Sequence, residues 1–431
     1  MTSARLLALD ALIRIDDGAY AQVLLPSMLR SSELLDRDRA FATELVYGTV
    51  RAQRRLDDLL SRVVTRPIRR LDPPVRAALR LGAYQLTRGT PRHAAVSETV
   101  DVLAARSPRA RGFVNAVLRS LTRLGPPWPE PSSEAVALSY PDWIVDLLTR
   151  DLGADAAHAA LVVMNDPPAV TLRTAAPDAL EAELRAAGIH VERGTLVSDA
   201  LVVRGIGDPA ALPAVRGGRA TPQDQASQAL VSVLDPRPGE WIADVAAAPG
   251  GKATAIAERV GVERTGTDGG VVALDVDAGR LRLVGEAVSR LALSNVHTVL
   301  ADGRALPLRS GYFDRVLLDA PCSGLGVLRR RPDARWRVTE ESIDDLAALQ
   351  RELLAAAAVL VRPGGVLVYS VCTLTRAETV EIDEWASRHL VGFDPLDPPA
   401  PPWRPCGRGA LLLPQAAGTD GMFVLALRRV P

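Results

Sequence analysis

The sequence predicts a multidomain protein that begins with an all-α bundle, continues with a small α+β subdomain and ends with an α/β domain on a doubly wound, Rossmann-like sheet. Three observations indicate these parts. Apolar residues recur at helical spacing through residues 1–125, short strand and helix patterns alternate over residues 126–218, and apolar strands separated by helical segments fill residues 219–431. The chain has 431 residues, 48% of them apolar, so it can form two or three hydrophobic cores.

Residues 1–125 are predicted to form the helical bundle. They carry 21 arginines and no lysine against 12 aspartates and glutamates, a net charge of +9, whereas the whole chain is neutral. This asymmetry indicates that the region meets a polyanion. A single arginine is better explained by a solvated helix face than by a phosphate contact, so the argument depends on the net excess. The helical periods run through residues 6–13, 40–50, 75–86 and 96–104.

A stiff joint and a small subdomain are predicted for residues 126–218. The Pro-rich stretch from Gly125 to Pro131 is typical of a non-helical linker, and a helix is expected over residues 139–151. No aromatic pair is placed for stacking on bases, so this part is not expected to read base sequence. The subdomain is predicted from strand patterns at 169–172, 190–192 and 200–203 and helical patterns at 178–187 and 208–215.

A glycine-rich loop follows the first strand of the α/β domain. The apolar run Trp241 to Val245 leads into a helix predicted over residues 253–259. Paired glycines let the backbone approach a ligand closely, and the start of the helix offers free N–H donors, so the loop suits a carboxylate or phosphate. It is not a Walker A loop and does not match G-x-G-x-x-G. Its lysine is the only lysine of the chain. The loop consists of Ala246, Ala247, Ala248, Pro249, Gly250, Gly251 and Lys252.

Four predicted strands of this domain end in, or lead directly to, an aspartate. In a doubly wound sheet the carboxyl ends of the strands line the ligand crevice. Asp275 lies 25 residues beyond Gly250, where a carboxylate can bind both hydroxyls of a ribose. An acid after the next strand could accept a hydrogen bond from an adenine amino group. One such acid alone is usually a helix cap, but four in register predict a nucleoside pocket. The four are Asp244, Asp275, Asp302 and Asp319.

Two of the three cysteines also follow strand-like runs. Cys322 stands behind Asp-Ala-Pro and Cys372 behind Tyr-Ser-Val, whereas Cys406 lies in a Pro-rich stretch and is assigned a packing or surface role. A free cysteine is usually a small buried hydrophobe. The placement of two cysteines at the ligand edge of the same sheet instead favours thiol chemistry.

At these motifs residues 219–431 resemble the catalytic domain of the Sun/Fmu and Nop type of RNA cytosine-5 methyltransferases, which use S-adenosylmethionine. The first 125 residues resemble the NusB-like RNA-binding domain that precedes it in Sun/Fmu enzymes, and the middle region resembles the RNA-recognition-like insert of the family. The chain departs from the family pattern at Ala246, where Cys is usual, and at Thr379, where Asn is common. The resemblance is carried by Ala247–Lys252, Asp319–Gly324, Tyr369–Thr373, Arg331–Asp333 with Trp336, and Asp420–Phe423, and in the first region by motifs that include Glu44–Gly48 and Phe113–Arg119.

The resemblance implies roles for these residues. S-adenosylmethionine would be bound by the loop Ala246–Lys252 with Asp275, Asp302 and Asp319. Carbon 5 of cytosine is a poor nucleophile, so a thiolate first adds to carbon 6. By the resemblance Cys372 is this nucleophile, Cys322 assists release of the product, and Asp319 contacts cytosine nitrogen 3. The spacing alone does not choose between the two cysteines.

An arginine-rich segment is expected to contact the RNA substrate, with arginines on phosphates and a tryptophan stacked on a base. The alternative is a solvated loop whose tryptophan packs on the sheet. The residues concerned are Arg329, Arg330, Arg331, Arg335 and Trp336.

The expected function is therefore methylation of ribosomal RNA, in particular small-subunit 16S rRNA, by a cytoplasmic monomer. The five histidines form no metal pattern, no secretory signal or long apolar run is present, and so neither a metal nor a membrane is expected. Two alternatives stay open at this point. One is a transfer-RNA or DNA cytosine-5 methyltransferase, and the other is a ribosome assembly factor that binds RNA without turnover.

Overall fold

The structure is a computed structural model that describes residues 3–261 and 269–431. It divides into two compact units. The first contains the residues up to Arg150 together with Leu328–Arg337, and the second contains Asp151–Val327 and Val338–Pro431. The predicted fold class is confirmed: an all-α part comes first, and an α/β part on a mixed sheet forms the carboxyl-terminal half.

The first unit is built around one long buried helix. Proline at its first positions suits this helix start, because the missing N–H would lack a partner in the helix anyway. Every residue from Ala77 to Leu86 in that helix is buried, and other helices surround it. The helices of this unit are α1 (Ala4–Asp16), α2 (Ala21–Arg30), α3 (Asp36–Arg51), α4 (Gln53–Ser61), the central α5 (Pro73–Thr87), α6 (Arg92–Ala104), α7 (Arg111–Thr122), α8 (Glu134–Leu138) and α9 (Asp142–Leu152).

The Pro-rich stretch after residue 125 is held against the helical bundle by hydrogen bonds. The Arg55 guanidinium donates to the Pro129 carbonyl. Arg54 donates from Nη1 to the Tyr140 carbonyl at 2.6 Å and from Nη2 to the Asp142 carboxylate at 2.6 Å. These bonds hold the stretch and the helix after it against α4, so the first unit continues to residue 150.

The second unit opens with a small antiparallel sheet. Its strand order is β2-β3-β1-β4. The helix predicted over 208–215 is broken, because proline lacks the N–H needed to continue it and holds Leu212 extended. A short 3₁₀ turn therefore precedes the break. The elements are α10 (Ala154–Val163), β1 (Val170–Arg173), α11 (Pro177–Ala186), β2 (His190–Arg193), β3 (Leu201–Arg204), α12 (Pro213–Arg216) and β4 (Thr221–Pro222).

A large mixed sheet completes this unit. Its strand order is β11-β12-β13-β9-β8-β5-β6-β7, and β10 pairs with β13. The strands β5 to β9 are parallel. β5 lies between β6 and β8, so the strand order runs outward from β5 in both directions. A ligand crevice is expected where the order reverses. The elements are α13 (Gln225–Leu234), β5 (Trp241–Asp244), α14 (Gly251–Val260), β6 (Gly270–Asp275), α15 (Ala278–Arg290), β7 (Val296–Leu300), β8 (Phe313–Asp319), α16 (Glu340–Leu360), β9 (Val361–Val371), α17 (Val380–His389), β10 (Phe393–Pro395), β11 (Arg404–Cys406), β12 (Gly409–Leu412), α18 (Pro414–Ala417) and β13 (Met422–Arg429).

The antiparallel strands after α17 were not part of the prediction. β13 runs antiparallel to β9 from Phe423 opposite Val371 to Arg428 opposite Val366. Antiparallel neighbours need no crossover helix, so the βαβ rhythm that identified the parallel strands gave no signal for these. Within the described ranges no helix is both long and apolar enough to cross a membrane, and no group of three or more His, Cys, Asp or Glu side chains is arranged to hold a metal.

Candidate active site

The glycine-rich loop joins β5 to α14 at the carboxyl edge of the sheet. Gly250 precedes α14 with φ +102°, a conformation that strains other residues. A side chain there would also meet the Val284 backbone, since an added Cβ would lie 3.1 Å from its Cα. No side chain in the described part of the chain caps the start of α14. Its first N–H groups are therefore available to an anionic ligand.

Asp244, the last residue of β5, is the most unusual polar group of the site. Its side chain is 1% exposed, and neither carboxylate oxygen has a hydrogen-bond partner among the described residues. Burial, reinforced by the nearby Asp319 charge, raises the pKa of Asp244 to about 7. A buried carboxylate without donors is costly, so this group calls for a cationic or donor ligand. A bound S-adenosylmethionine carries such a group in its ammonium, and the residues present fit it.

Lys252 contacts the end of the neighbouring strand. Its Nζ lies 2.6 Å from Asp319 Oδ2, and Asp319 Oδ1 accepts from Ser370 Oγ at 2.8 Å. Burial lowers the lysine pKa, but the Asp319 charge and hydrogen bond outweigh burial and the pKa is raised overall. A single chain of contacts therefore runs from the glycine-rich loop through Asp319 to the end of the strand that precedes Cys372.

Asp275, predicted to bind the ribose, and Asp302, predicted to bind the adenine, have different hydrogen-bond partners. Asp275 is buried, and its carboxylate accepts from the backbone N–H groups of Ala248 at 3.2 Å and Asp277 at 3.0 Å. These bonds hold Asp275 against the glycine-rich loop. Asp302 is half-buried and binds the guanidinium of Arg304, whose hydrogen bonds lower the pKa of Asp302 to about 2. An adenine contact from Asp302 would have to share the carboxylate with that arginine.

The structure brings the two predicted cysteines together. Cys322 Sγ and Cys372 Sγ are 3.3 Å apart, and both residues are half-buried. The hydrogen bond to Cys372 and burial raise the pKa of Cys322 well above its ordinary value. Cys322 is thus suited to remain a protonated thiol that donates to Cys372. Cys406 lies in β11, outside this pair.

Two glycines hold the backbone near the thiols. Gly326 N–H donates to the Cys372 carbonyl at 3.0 Å, and the Gly326 carbonyl accepts from Gly421 N–H at 2.8 Å. An added Cβ on Gly326 would lie 2.9 Å from the Cys372 carbonyl oxygen and 2.5 Å from that of Gly421. The motif Asp420–Phe423 therefore supports the cysteine loops, a role that its position in the sequence did not indicate.

Sequence reasoning left two acids of the site without a role. Asp244 was predicted only as one of four strand-end acids of the pocket, with no group of the ligand assigned to it. Glu378 received no role, although it lies six residues beyond Cys372 and is fully buried. Burial of an acid in a loop is not visible from sequence, and the only available signal was its closeness to the second cysteine.

The segment expected to contact RNA lies inside the helical unit. The Arg335 side chain is 0% exposed and its guanidinium carbon lies 3.9 Å from the centre of the Tyr140 ring. Burial lowers the pKa of Arg335 to about 10. Trp336 Nε1 donates to the Val50 carbonyl at 2.8 Å, and its ring packs on the helical core.

This arrangement does not suit RNA contacts from most of the predicted residues. Arg329 is also buried, and its carbonyl accepts from Arg51 at 3.1 Å. Trp336 is packed on helices and not on the sheet, so the alternative interpretation was wrong as well. Arg330 is half-buried, and Arg331 is exposed.

Comparison with known proteins finds one family match in the helical region and another in the α/β region. A family described as 16S rRNA methyltransferase RsmB/F matches residues 231–428, and the NusB family matches residues 2–123. A probable ribosomal RNA small subunit methyltransferase B of Bacillus subtilis is 36% identical over 99% of this chain and 99% of its own. The ribosomal RNA small subunit methyltransferase B of Thermus thermophilus is 37% identical over 99% of this chain and 98% of its own.

Solved structures show the same architecture. The crystal structure of PH0851 superposes with a TM-score of 0.85 and 26% identity over 99% of both chains. A methyltransferase homolog protein from Pyrococcus horikoshii gives a TM-score of 0.58 and 27% identity over 69% of this chain and 97% of its own.

Proposed function

The chain belongs to the ribosomal RNA small subunit methyltransferase B family, and from this membership we propose that it methylates carbon 5 of a cytosine in 16S ribosomal RNA. It is a methyltransferase that uses S-adenosylmethionine. The observation that carries the choice of carbon 5 is the pair of thiols 3.3 Å apart at the edge of the cofactor site. A transfer to a base nitrogen or ribose oxygen, which already carry a lone pair, has no need of a nucleophilic cysteine.

The two thiols differ in a way that supports distinct roles. Cys322 has a raised pKa, so it holds its proton and donates to Cys372. A hydrogen bond of this kind stabilises a thiolate on Cys372, and the thiolate is the reactive form of a cysteine. The resemblance of Tyr369–Thr373 and Asp319–Gly324 to the family motifs implies the same assignment, with Cys372 as the nucleophile and Cys322 as the residue that assists product release.

The reaction begins when the Cys372 thiolate adds to carbon 6 of cytosine and the electron pair of the carbon 5–carbon 6 double bond makes carbon 5 nucleophilic. Bound S-adenosylmethionine supplies the electrophilic methyl group. Asp319, held by Lys252 and Ser370, stabilises the adduct at ring nitrogen 3. Carbon 5 takes the methyl group as the bond between that group and the sulfonium sulfur breaks. The carbon-5 proton is then lost to solvent, and the Cys322 thiol assists release by donating a hydrogen bond to the departing Cys372 sulfur. The bond between Cys372 sulfur and carbon 6 breaks, which restores the aromatic ring and the thiolate.

The loop Ala246–Lys252 and the acids Asp244 and Asp275 would hold the cofactor. Asp244 offers a buried carboxylate to the ammonium, and the start of α14 offers N–H donors to the carboxylate. Asp275 offers its carboxylate to the ribose hydroxyls. The excess positive charge of residues 1–125 would attract ribosomal RNA.

Cysteine substitutions test the covalent chemistry. Cys372→Ala should abolish methylation and covalent trapping on RNA that contains 5-fluorocytosine. Cys322→Ala should accumulate a protein–RNA adduct on ordinary RNA, because release stalls. The matched control is Cys406→Ala, which should behave as the unsubstituted enzyme. Normal methylation by Cys372→Ala would show that the nucleophile is assigned to the wrong residue.

The substrate is tested by mapping 5-methylcytosine across total RNA of cells with and without the gene. Loss of one position in 16S rRNA is the expected result. Loss of a position in transfer RNA or DNA instead would favour the alternative substrate. Unchanged maps together with normal RNA binding would favour an assembly factor without turnover.

A further inference from the structure

A fully buried carboxylate lies between the two cysteine segments. Glu378, in the turn that leads to α17, has a side chain that is 0% exposed. Its Oε1 accepts from the Ser323 backbone N–H at 2.8 Å and from Gln350 Nε2 at 3.1 Å. Its Oε2 accepts from Ser323 Oγ at 2.5 Å and from Thr375 Oγ1 at 2.9 Å. Four donors on three separate segments therefore converge on one side chain.

The directions of these bonds can be assigned by counting protons. Ser323 Oγ has one proton, and it is donated to Glu378 Oε2 because an ionised carboxylate only accepts. The bond between Ser323 Oγ and Thr373 Oγ1 at 2.8 Å must then be donated by Thr373. A directed chain results, from Thr373 to Ser323 to Glu378.

This chain connects the immediate neighbours of both thiols. Ser323 follows Cys322, and Thr373 follows Cys372. Gln350 adds a second link, since its Nε2 also donates to the Pro321 carbonyl at 2.9 Å on the other side of Cys322. The buried carboxylate thus fixes the backbone on both sides of one thiol and the residue after the other.

We infer that Glu378 is a positioning residue, which holds the Cys322 and Cys372 segments in the relative placement that the two-thiol reaction requires. The inference rests on the proposed function, because that function gives the thiol pair its purpose. Glu378 itself touches neither sulfur in a hydrogen bond among those described. It acts through Ser323 and, beyond it, through Thr373.

The two acceptor oxygens of Glu378 matter to this role. Glutamine has one carbonyl oxygen, which can accept from the Ser323 N–H and Gln350, but its NH₂ group then faces the Ser323 and Thr375 hydroxyls. These hydroxyls must reverse and accept, which breaks the direction of the chain. Glu378→Gln should therefore fold and loosen the thiol pair.

Ser323→Ala is the sharper variant, because it removes the single atom that joins Glu378 to Thr373. The matched control is Thr375→Ala, which deletes one hydroxyl bond to the same carboxylate and leaves the link between the cysteine segments intact. Ser323→Ala loses two hydrogen bonds, to Glu378 and to Thr373, whereas Thr375→Ala loses one. The difference between the variants is therefore compared with their free energies of unfolding, and it reports on positioning where it exceeds the difference in stability.

The thiol pair can be probed in the full-length protein without RNA. Phenylarsine oxide binds two thiols at once, with formation of two arsenic–sulfur bonds and loss of one water, so its affinity depends on how the thiols are placed. We expect one arsenical bound by the thiol pair in the wild type. The affinity should fall at least about tenfold in Ser323→Ala and Glu378→Gln, while Thr375→Ala stays within roughly twofold, since fixing two groups in place multiplies their effective concentration.

Turnover on RNA supplies the second readout. A displacement of reacting groups by about 1 Å costs on the order of a hundredfold, so kcat of Ser323→Ala should fall roughly 10- to 100-fold. KM for RNA and the S-adenosylmethionine Kd should stay unchanged, because neither binding site is altered. Circular dichroism and thermal unfolding check that each variant is folded.

Two results would overturn the inference. One is wild-type arsenical affinity and kcat in folded Ser323→Ala and Glu378→Gln. The other is an equal loss in Thr375→Ala, which would make the network merely structural. If instead the wild type fails to methylate cytosine, the proposed function is wrong, while the order of the arsenical affinities still tests the role of Glu378.

Discussion

Asp244 is a buried carboxylate whose charge is costly in the protein alone and would be compensated by a bound ligand. The pKa of its carboxyl is raised from 3.8 to about 7 because the group is fully buried and lies near Asp319. Between these two values the folded protein keeps a proton that the unfolded chain has lost. The free energy of unfolding should therefore fall as the pH rises from about 4 to about 7, by up to about 1.4 kcal/mol for each pH unit, and level off above that.

Asp244→Asn removes this dependence and should be the more stable protein at pH 8 when no cofactor is present. Thermal unfolding from pH 4 to pH 8 measures the effect, and the unfolding temperatures of the two proteins should converge near pH 4. Calorimetry should show weaker binding of S-adenosylmethionine to the variant, since each hydrogen bond to a charged group contributes about 1.5–3 kcal/mol. Parallel pH profiles for the two proteins would mean that the carboxylate has a partner after all.

At the scale of elements, the segment Leu328–Arg337 can be tested for two roles: stabilising the helical unit and contacting RNA. Trp336→Ala should lower the free energy of unfolding of the helical unit by about 2–4 kcal/mol, because it removes a large packed ring and its hydrogen bond to Val50. Arg331→Ala is the matched control on the same segment, and as an exposed change it should stay within about 0.5 kcal/mol. Chemical denaturation measures both. A stable Trp336→Ala protein that binds RNA poorly would return this segment to the RNA interface.

The elements also show what could be predicted from the sequence. Each of the two strands before the cysteines was recognisable from its apolar run. Because neighbouring parallel strands end at the same edge of a sheet, the proximity of Asp319, Cys322 and Cys372 could be predicted. The burial of Arg335 could not be predicted. Its partner Tyr140 lies almost two hundred residues away, and an arginine-rich stretch with one tryptophan has the composition of a surface that binds RNA. Glu378 was missed for the same physical reason, since its four donors are distributed over α16 and both cysteine loops.

For the whole molecule, the structure changes how the charge of residues 1–125 should be tested. Deleting these residues would remove the helical core on which Trp336 packs and the Arg51 carbonyl to which Arg335 donates. In addition, Arg51, Arg54 and Arg55 already bind groups within the helical unit. Three exposed arginines, one on α7 and one in the turn on each side of it, are better targets. These are Arg109, Arg119 and Arg123.

Replacing these three arginines by glutamine should weaken RNA binding and flatten its salt dependence. Each lost phosphate contact lowers the slope of log K against log salt by about 0.7–0.9, so the slope should fall by up to about 2–3. Filter binding at several salt concentrations measures it, with the S-adenosylmethionine Kd as the control that should not move. An unchanged slope would mean that these three arginines do not contact RNA.

The split of the helical unit between residues up to Arg150 and residues 328–337 has a consequence for how the protein is made. A ribosome adds about 5–20 residues per second, so the last ten residues of this unit are synthesised roughly 10–35 seconds after the rest. During that interval the nascent bundle has no Arg335 to pack on Tyr140 and no Trp336 to bond Val50. The bundle can therefore finish folding only after the strand that leads to Cys322 has been synthesised.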